Sequence, residues 1–146
     1  MRALAIPDME LPAEAHAEIV SLCNAGDECL ERDDFAGGLA FFDRALRLVP
    51  EPKDHWEAST WIFAARGDAH FLQGNHGEAA ISLRAAMKCP GGPGNPFVSL
   101  RLGQSLLETG EAAEAQEYLL RAFMAEGESI FADADPKYIG AIRHLI

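Results

Sequence analysis

The fold of this chain is decided by a 34-residue segment that occurs three times: IVSLCNAGDECLERDDFAGGLAFFDRALRLVPEP at residues 19–52, TWIFAARGDAHFLQGNHGEAAISLRAAMKCPGGP at residues 60–93, and PFVSLRLGQSLLETGEAAEAQEYLLRAFMAEGES at residues 96–129. The three segments align without internal gaps. Ala, Leu, Glu and Arg are frequent in each, and runs of β-branched residues are absent, which indicates helices. A tandem repeat of this length predicts a stack of similar helical units.

Small residues recur at two fixed positions of the repeat. The first position holds Gly26, Gly67 and Gly103, and the second holds Gly38, Ala79 and Ala115. A small side chain lets two neighbouring helices approach closely, whereas a larger one would push them apart. The two positions therefore predict a tight crossing of two helices inside each repeat.

With this spacing the chain resembles the tetratricopeptide-repeat family, whose unit is a helix–turn–helix of 34 residues. It departs from the family pattern at the aromatic positions, which hold Cys29, His70 and Leu106. It also has Gly91 and Gly127 where the pattern has the proline that Pro50 supplies in the first repeat. The resemblance implies an all-α fold, a right-handed α-solenoid of three helix–turn–helix repeats, and one domain over residues 1–146.

The segments outside the repeats predict how the solenoid begins and ends. Leu11-Pro12 predicts the start of a helix that continues into repeat one, and Asp135-Pro136 predicts a C-terminal capping helix at about 136–145. The linker KDHWEAS at 53–59 predicts a backward extension of the next helix by about two turns. The linker CPGGPGNP at 89–96 predicts a loop, with Asn95 as the cap of the helix that follows.

Composition and charge exclude several classes of function. The formal net charge is −11, and acids concentrate in residues 1–34 and 108–135. Such a charge repels phosphate backbones and anionic lipids, so we expect neither nucleic-acid nor membrane binding. The start MRALAIPDMELP lacks the apolar stretch of a signal peptide, and three widely spaced cysteines favour reduced thiols. These features predict a cytoplasmic protein.

The residues that could carry chemistry do not assemble into a catalytic or metal site. Cys23 and Cys29 are six residues apart, which puts them about 120° apart around a helix, and His70 and His76 lie on either side of a turn. Asp27 and Glu31 share a helix face without a base or nucleophile beside them. We therefore expect no enzyme, no metal and no cofactor, and we expect His70 to be a core residue with a hydrogen-bond partner.

The resemblance implies a binding groove on the concave side, lined by positions 2, 5, 9 and 12 of each repeat. These positions hold Val20, Cys23, Asp27 and Leu30 in repeat one, Trp61, Ala64, Asp68 and Phe71 in repeat two, and Phe97, Leu100, Gln104 and Leu107 in repeat three. Nine of the twelve are apolar, and two adjacent repeats have Asp at the same position. Such a groove suits a basic or amphipathic segment of another protein. The alternative is that a terminal helix or a second copy of the chain fills it.

The family's known pattern for binding the terminal carboxylate of chaperone tails is not reproduced. The matching positions here hold Cys23, Asp27, Ala65, Phe97 and Arg101, of which only Arg101 agrees. Asp27 would repel a carboxylate, which argues against a co-chaperone of that kind. The chain resembles small stand-alone bacterial repeat proteins, and this resemblance suggests an immunity or antitoxin-like role against a basic toxin. The alternatives are a secretion chaperone of this repeat type and a self-associating scaffold.

Overall fold

Seven α-helices form the part of the chain that the structure, a computed structural model, describes, which is residues 11–146. The helices are α1 (Ala13–Glu31), α2 (Phe35–Leu48), α3 (Glu57–Leu72), α4 (His76–Met87), α5 (Pro96–Glu108), α6 (Ala112–Glu126) and α7 (Pro136–Gly140). Short 3-10 turns occur at Lys53–His55, Gly127–Phe131 and Arg143–Leu145. There is no strand within this range, and the predicted all-α class is confirmed.

The helices pack as three helical hairpins, α1 with α2, α3 with α4, and α5 with α6. Each hairpin turns through three residues, and the second of them has a positive φ: Asp33 at 60°, Gly74 at 81° and Gly110 at 87°. Glycine adopts this left-handed backbone freely, and Asp tolerates it better than most residues do. The predicted helix–turn–helix repeat is therefore present three times.

The recurring glycines lie where the two helices of each hairpin touch. A Cβ atom built on Gly67 would come within 2.5 Å of Leu83 Cγ, and one on Gly103 within 2.7 Å of Leu119 Cγ. Gly26 is packed equally tightly against Phe42. The predicted role of this position, a close helix crossing, is confirmed.

The apolar core joins each hairpin to the element that follows it. Ile19 and Phe42 of the first hairpin pack in one cluster with Ile62 of α3, and Leu83 of α4 packs with Leu102 of α5. A third cluster joins α5 and α6 to the C-terminal segment through Leu100, Leu119, Phe131, Tyr138, Ile139 and Ile142. Each hairpin thus buries its apolar edge against the next unit, as a helical-repeat solenoid requires.

The linker at 53–59 differs from its prediction. α3 begins only at Glu57, because Trp56 has an extended backbone and is buried in the core. Lys53 Nζ donates hydrogen bonds to the carbonyl oxygens of Leu46 and Val49, at 3.0 and 2.7 Å. The linker therefore satisfies the carbonyls at the C-terminal end of α2, and α3 is extended by about one turn rather than two.

The predicted starts of α5 and α7 are confirmed by their N-terminal caps. The Asn95 side chain accepts hydrogen bonds from the amides of Phe97 and Val98, and Asp135 accepts one from the amide of Lys137. The predicted helix at 136–145 is shorter, since α7 ends at Gly140 and a separate 3-10 turn follows. Gly140 is a poor helix former.

None of the helices within residues 11–146 is long and apolar enough to cross a membrane. The first ten residues of the acidic stretch 1–34 lie outside the described residues.

Candidate functional site

The first helices of the three hairpins, α1, α3 and α5, lie side by side. α3 contacts both α1 and α5, and packed helices have axes about 8–10 Å apart. Equivalent residues of successive repeats therefore form rows that cross the three helices. We call the surface that carries these rows the first-helix face.

The apolar row consists of Val20, Trp61 and Phe97, the second residues of the three repeats. These residues are 37%, 42% and 38% exposed, which is less than the other exposed large apolar residues within residues 11–146, such as Met124 at 76%. The rings of His16 and Trp61 pack edge-to-face, with their centroids 6.0 Å apart. The three residues form one exposed apolar row across α1, α3 and α5.

The polar row consists of Asp27, Asp68 and Gln104, each seven residues beyond its partner in the apolar row. Seven residues are two helical turns, so the two rows share a face and lie about 10 Å apart. Cys23, Ala64 and Leu100 fall between them by sequence position. Burial of the Cys23 thiol, with a smaller contribution from Asp27, raises its pKa to about 11, so this thiol stays protonated at neutral pH and is a poor nucleophile.

Arg101 is a cation on the first-helix face, and its guanidinium already has polar partners in the fold. Its Nη2 lies 2.8 Å from Asp68 Oδ1, and its Nη1 donates a 2.8 Å hydrogen bond to Gln104 Oε1. The guanidinium carbon lies 4.4 Å from the centre of the Phe71 ring and 5.4 Å from that of Phe97. Arg101 therefore forms an ion pair with Asp68 and packs between the two rings.

Asp27 keeps its negative charge without such a partner, since no cation within residues 11–146 forms an ion pair with it. Partial desolvation raises the pKa of Asp27, and repulsion from Asp68 and Glu31 adds to this effect. Each of these causes makes the charged form less favourable in the folded protein. A cation placed beside Asp27 would stabilise its charged form.

The C-terminal segment covers the third repeat of this face. Leu100 is buried against Phe131, Tyr138 and Ile139, and Leu107 packs on the same cluster. Gln104 is only 2% exposed. These three predicted groove residues thus form a covered floor, and the open part of the face runs from Val20 to Phe97.

The segment forms one side of a half-open cavity of about 470 Å³ at this end of the face. Its walls come from two sources: Phe71, Leu72, Leu100, Arg101 and Gln104 of α3 and α5, and Ser129, Ile130, Asp133, Ala134, Asp135 and Tyr138 of the C-terminal segment. Sequence reasoning missed the second group. It identified Tyr138 only as part of a cap, because nothing in the sequence shows that the cap folds against the groove.

The C-terminal segment is held in place by Glu108. Its Oε2 accepts a 2.6 Å hydrogen bond from the Tyr138 hydroxyl and lies 2.6 Å from Lys137 Nζ. These hydrogen bonds, with Lys137 contributing most and Tyr138 next, hold the pKa of Glu108 below its ordinary value. Gln116 Nε2 also donates to the Ala141 carbonyl oxygen at 3.2 Å. These contacts attach the C-terminal segment to α5 and α6.

The structure places the remaining predicted residues less decisively. Leu30 is half-buried against the first core cluster, and Ala64 is half-buried against the second. His70 is half-buried, but its Nδ1 has no hydrogen-bond partner, so that expectation is wrong. Burial and nearby Arg66 lower the pKa of His70. No group of three His, Cys, Asp or Glu side chains suited to a metal ion occurs in the described range.

Comparison with protein-family models gives no match, and comparison with the curated proteins gives none. Solved structures do match. The first tetratricopeptide-repeat domain of Spaghetti (RPAP3), bound to the HSP90 peptide SRMEEVD, is similar with a TM-score of 0.71 and 12% identity over 88% of this chain and 94% of that one. The Sgt2 repeat domain from Aspergillus fumigatus is similar with a TM-score of 0.67 and 18% identity, covering 93% and 79% of the two chains.

An O-GlcNAc transferase from Thermobaculum terrenum is similar with a TM-score of 0.73 and 21% identity over 92% of this chain, which spans 24% of that enzyme. At such identities the similarity concerns the fold. With three helical hairpins, a glycine at each crossing and these structural neighbours, the chain has the fold of a tetratricopeptide-repeat domain.

Proposed function

We propose that this chain is a non-catalytic protein-interaction module whose first-helix face binds a segment of another protein. The segment carries apolar side chains next to a basic residue. The observation that supports this most is the pairing pattern on the face. Arg101 is neutralised by Asp68, whereas Asp27 has no ion-pair partner within the described residues and lies two helical turns from the exposed apolar row.

The length of the bound segment follows from the spacing of the helices. α1 and α5 are two helix packings apart, which is about 16–20 Å. An extended chain covers that distance in about five or six residues. A short linear segment can therefore reach from Asp27 to the covered end of the face.

The same charges argue against acidic ligands. The structural neighbour RPAP3 binds the peptide SRMEEVD, which has three acidic residues at its C-terminal end. In this chain the acidic side chains of such a peptide would face the carboxylates of Asp27 and Asp68. Arg101 is already ion-paired with Asp68. We expect no measurable binding of SRMEEVD here.

Peptide selection tests the proposal. Random dodecapeptides displayed on phage are selected on the immobilised protein, and the enriched peptides are measured by fluorescence anisotropy. We expect Lys or Arg beside Leu, Phe or Trp, and we expect Asp27→Lys to weaken binding about tenfold or more, since like charges then face each other. Glu126→Lys is the matched control, because Glu126 is exposed at the end of α6 and lies off this face. Enrichment of acidic peptides, or equal affinity for Asp27→Lys, would refute the proposal.

Among biological roles we propose neutralisation of a basic toxin by an acidic, cytoplasmic, immunity-like protein. The net charge of −11 supports attraction of a basic partner, and the three cysteines are free thiols. The alternative is a secretion chaperone that covers an apolar segment of its cargo. The genes beside its own separate these two roles, through a toxin gene or a secretion locus.

A self-associating scaffold is a further alternative, since a second copy could cover the exposed apolar row. Light scattering tests it: a mass near 15.8 kDa at all concentrations contradicts self-association, whereas a mass that rises with concentration supports it.

A further inference from the structure

We infer that the cavity behind the C-terminal segment is an anchor pocket, which takes one large apolar side chain of the bound segment and places an adjacent Lys or Arg at its rim. This inference rests on the proposed function and adds the chemistry of the ligand at one end of the face.

The walls of the cavity are mixed, and their apolar part can contact an apolar side chain beside the polar groups. Phe71, Leu72, Leu100, Ile130 and Tyr138 supply aromatic and aliphatic surface. The volume of about 470 Å³ falls within the roughly 300–1,000 Å³ of typical ligand pockets. A side chain that enters would exchange water for apolar contacts on several sides, which is the main favourable term in binding.

The polar groups of the cavity favour a cation. Arg101 is paired with Asp68 and hydrogen-bonded to Gln104, so its charge is not available to an anionic ligand. Asp133 is exposed and has no ion-pair partner within the described residues, and Asp135 accepts a hydrogen bond from the start of α7. The rim is therefore acidic, and a carboxylate placed there would be repelled.

The position of the cavity connects it to the apolar row. Arg101 packs between Phe97, the last residue of that row, and Phe71, which lines the cavity. A segment that follows the apolar row would arrive at the cavity, where residues 129–138 close the face. Because Glu108 fixes this segment through Tyr138 and Lys137, binding requires little ordering of the pocket.

Small peptides test the pocket by NMR without knowledge of the natural partner. The probe is N-acetyl-Phe-Lys-amide, and the controls are N-acetyl-Phe-Glu-amide, which reverses the charge, and N-acetyl-Gly-Lys-amide, which removes the anchor. We expect millimolar binding of the probe, with chemical-shift changes at the amides of Ile130, Asp133 and Ala134 and at the Gln104 side-chain amide. Both controls should bind more weakly.

A variant measures the rim charge. Asp133→Asn should lower the affinity for the probe about two- to fivefold, which is the effect of one exposed ion pair. It should not lower the affinity for N-acetyl-Phe-Glu-amide. Glu126→Gln is the control and should change neither. Chemical-shift changes outside the cavity, or equal affinity for the Lys and Glu peptides, would contradict the proposed anchor pocket. If the selected dodecapeptides still depend on Asp27 in that case, the proposed function stands and only the pocket fails. If that dependence is also absent, both fail.

Discussion

Replacing Gly67 with Ala tests whether the glycine position controls the helix crossing. The added Cβ would lie 2.5 Å from Leu83 Cγ, which real Cβ atoms do not tolerate, so α3 and α4 must separate or Leu83 must leave its rotamer. Overpacking of this kind costs about 1–3 kcal/mol. Ala stabilises a helix by about 0.5–1 kcal/mol relative to Gly, so we expect a net loss of about 1–2 kcal/mol.

Urea unfolding followed by circular dichroism at 222 nm measures the change. With a slope of about 2 kcal/mol/M, the midpoint of Gly67→Ala should fall by about 0.5–1 M. Gly77→Ala is the matched control, because Gly77 lies in α4, is exposed, and would place its Cβ within 4 Å of nothing. The same substitution there should leave the midpoint unchanged or raise it.

A double mutant identifies Leu83 as the cause. Leu83→Ala alone should cost about 2–5 kcal/mol, because it opens a cavity in the core. In that background Gly67→Ala should cost nothing or recover stability, since the Cβ enters the vacated space. A midpoint for Gly67→Ala equal to or above that of the wild type, or strict additivity with Leu83→Ala, would refute the reasoning.

Four further changes have expected outcomes in the same unfolding assay. Asp27→Asn should stabilise the fold at pH 7 by about 0.2–0.5 kcal/mol, because it removes like-charge repulsion with Glu31. It should also lower the affinity for the selected peptides. Lower stability of this variant would contradict the expectation. Tyr138→Phe should cost about 1–2 kcal/mol through its lost hydrogen bond to Glu108, and an unchanged midpoint would contradict it. Since the folded-state pKa of Glu108 is lowered, its contribution is present above the ordinary glutamate pKa and is lost as pH falls through the folded value. Glu108→Gln should therefore flatten the loss of stability below about pH 5, and an unaltered pH profile would argue against this. Asp33→Gly should stabilise the first turn by up to about 1 kcal/mol, because φ is 60° there; destabilisation would show that the Asp side chain contributes more than its backbone costs.

Local signals predicted the helices well, since each depends on residues close in the chain. Asn95 and Asp135 cap helices because their side chains reach amides two or three residues ahead. The linker at 53–59 was less predictable. Its helix-friendly composition is overridden by contacts that Lys53 makes with the end of α2 and by burial of Trp56 in the core.

The candidate site was predicted only in part. The exposure of Trp61 and Phe97 agrees with the predicted phase of the repeats, although the binding role of this face remains a proposal. The pairing of charges on the face was not predictable from the repeat pattern, because Asp68 forms its ion pair with Arg101 of another repeat. Which of two equivalent acids has an ion-pair partner depends on a cation 33 residues away in the chain.

The sequence by itself determined the repeat, its period and the helix crossings, because Gly26, Gly67 and Gly103 recur at one phase and a periodic pattern needs no knowledge of distant contacts. Only the tertiary structure decided which part of the first-helix face stays open. The C-terminal segment folds back over Leu100 and Gln104 through the contacts of Glu108 with Tyr138 and Lys137. Those residues are about 30 positions apart, and their pairing depends on the spatial fit of two surfaces that the repeat pattern does not describe.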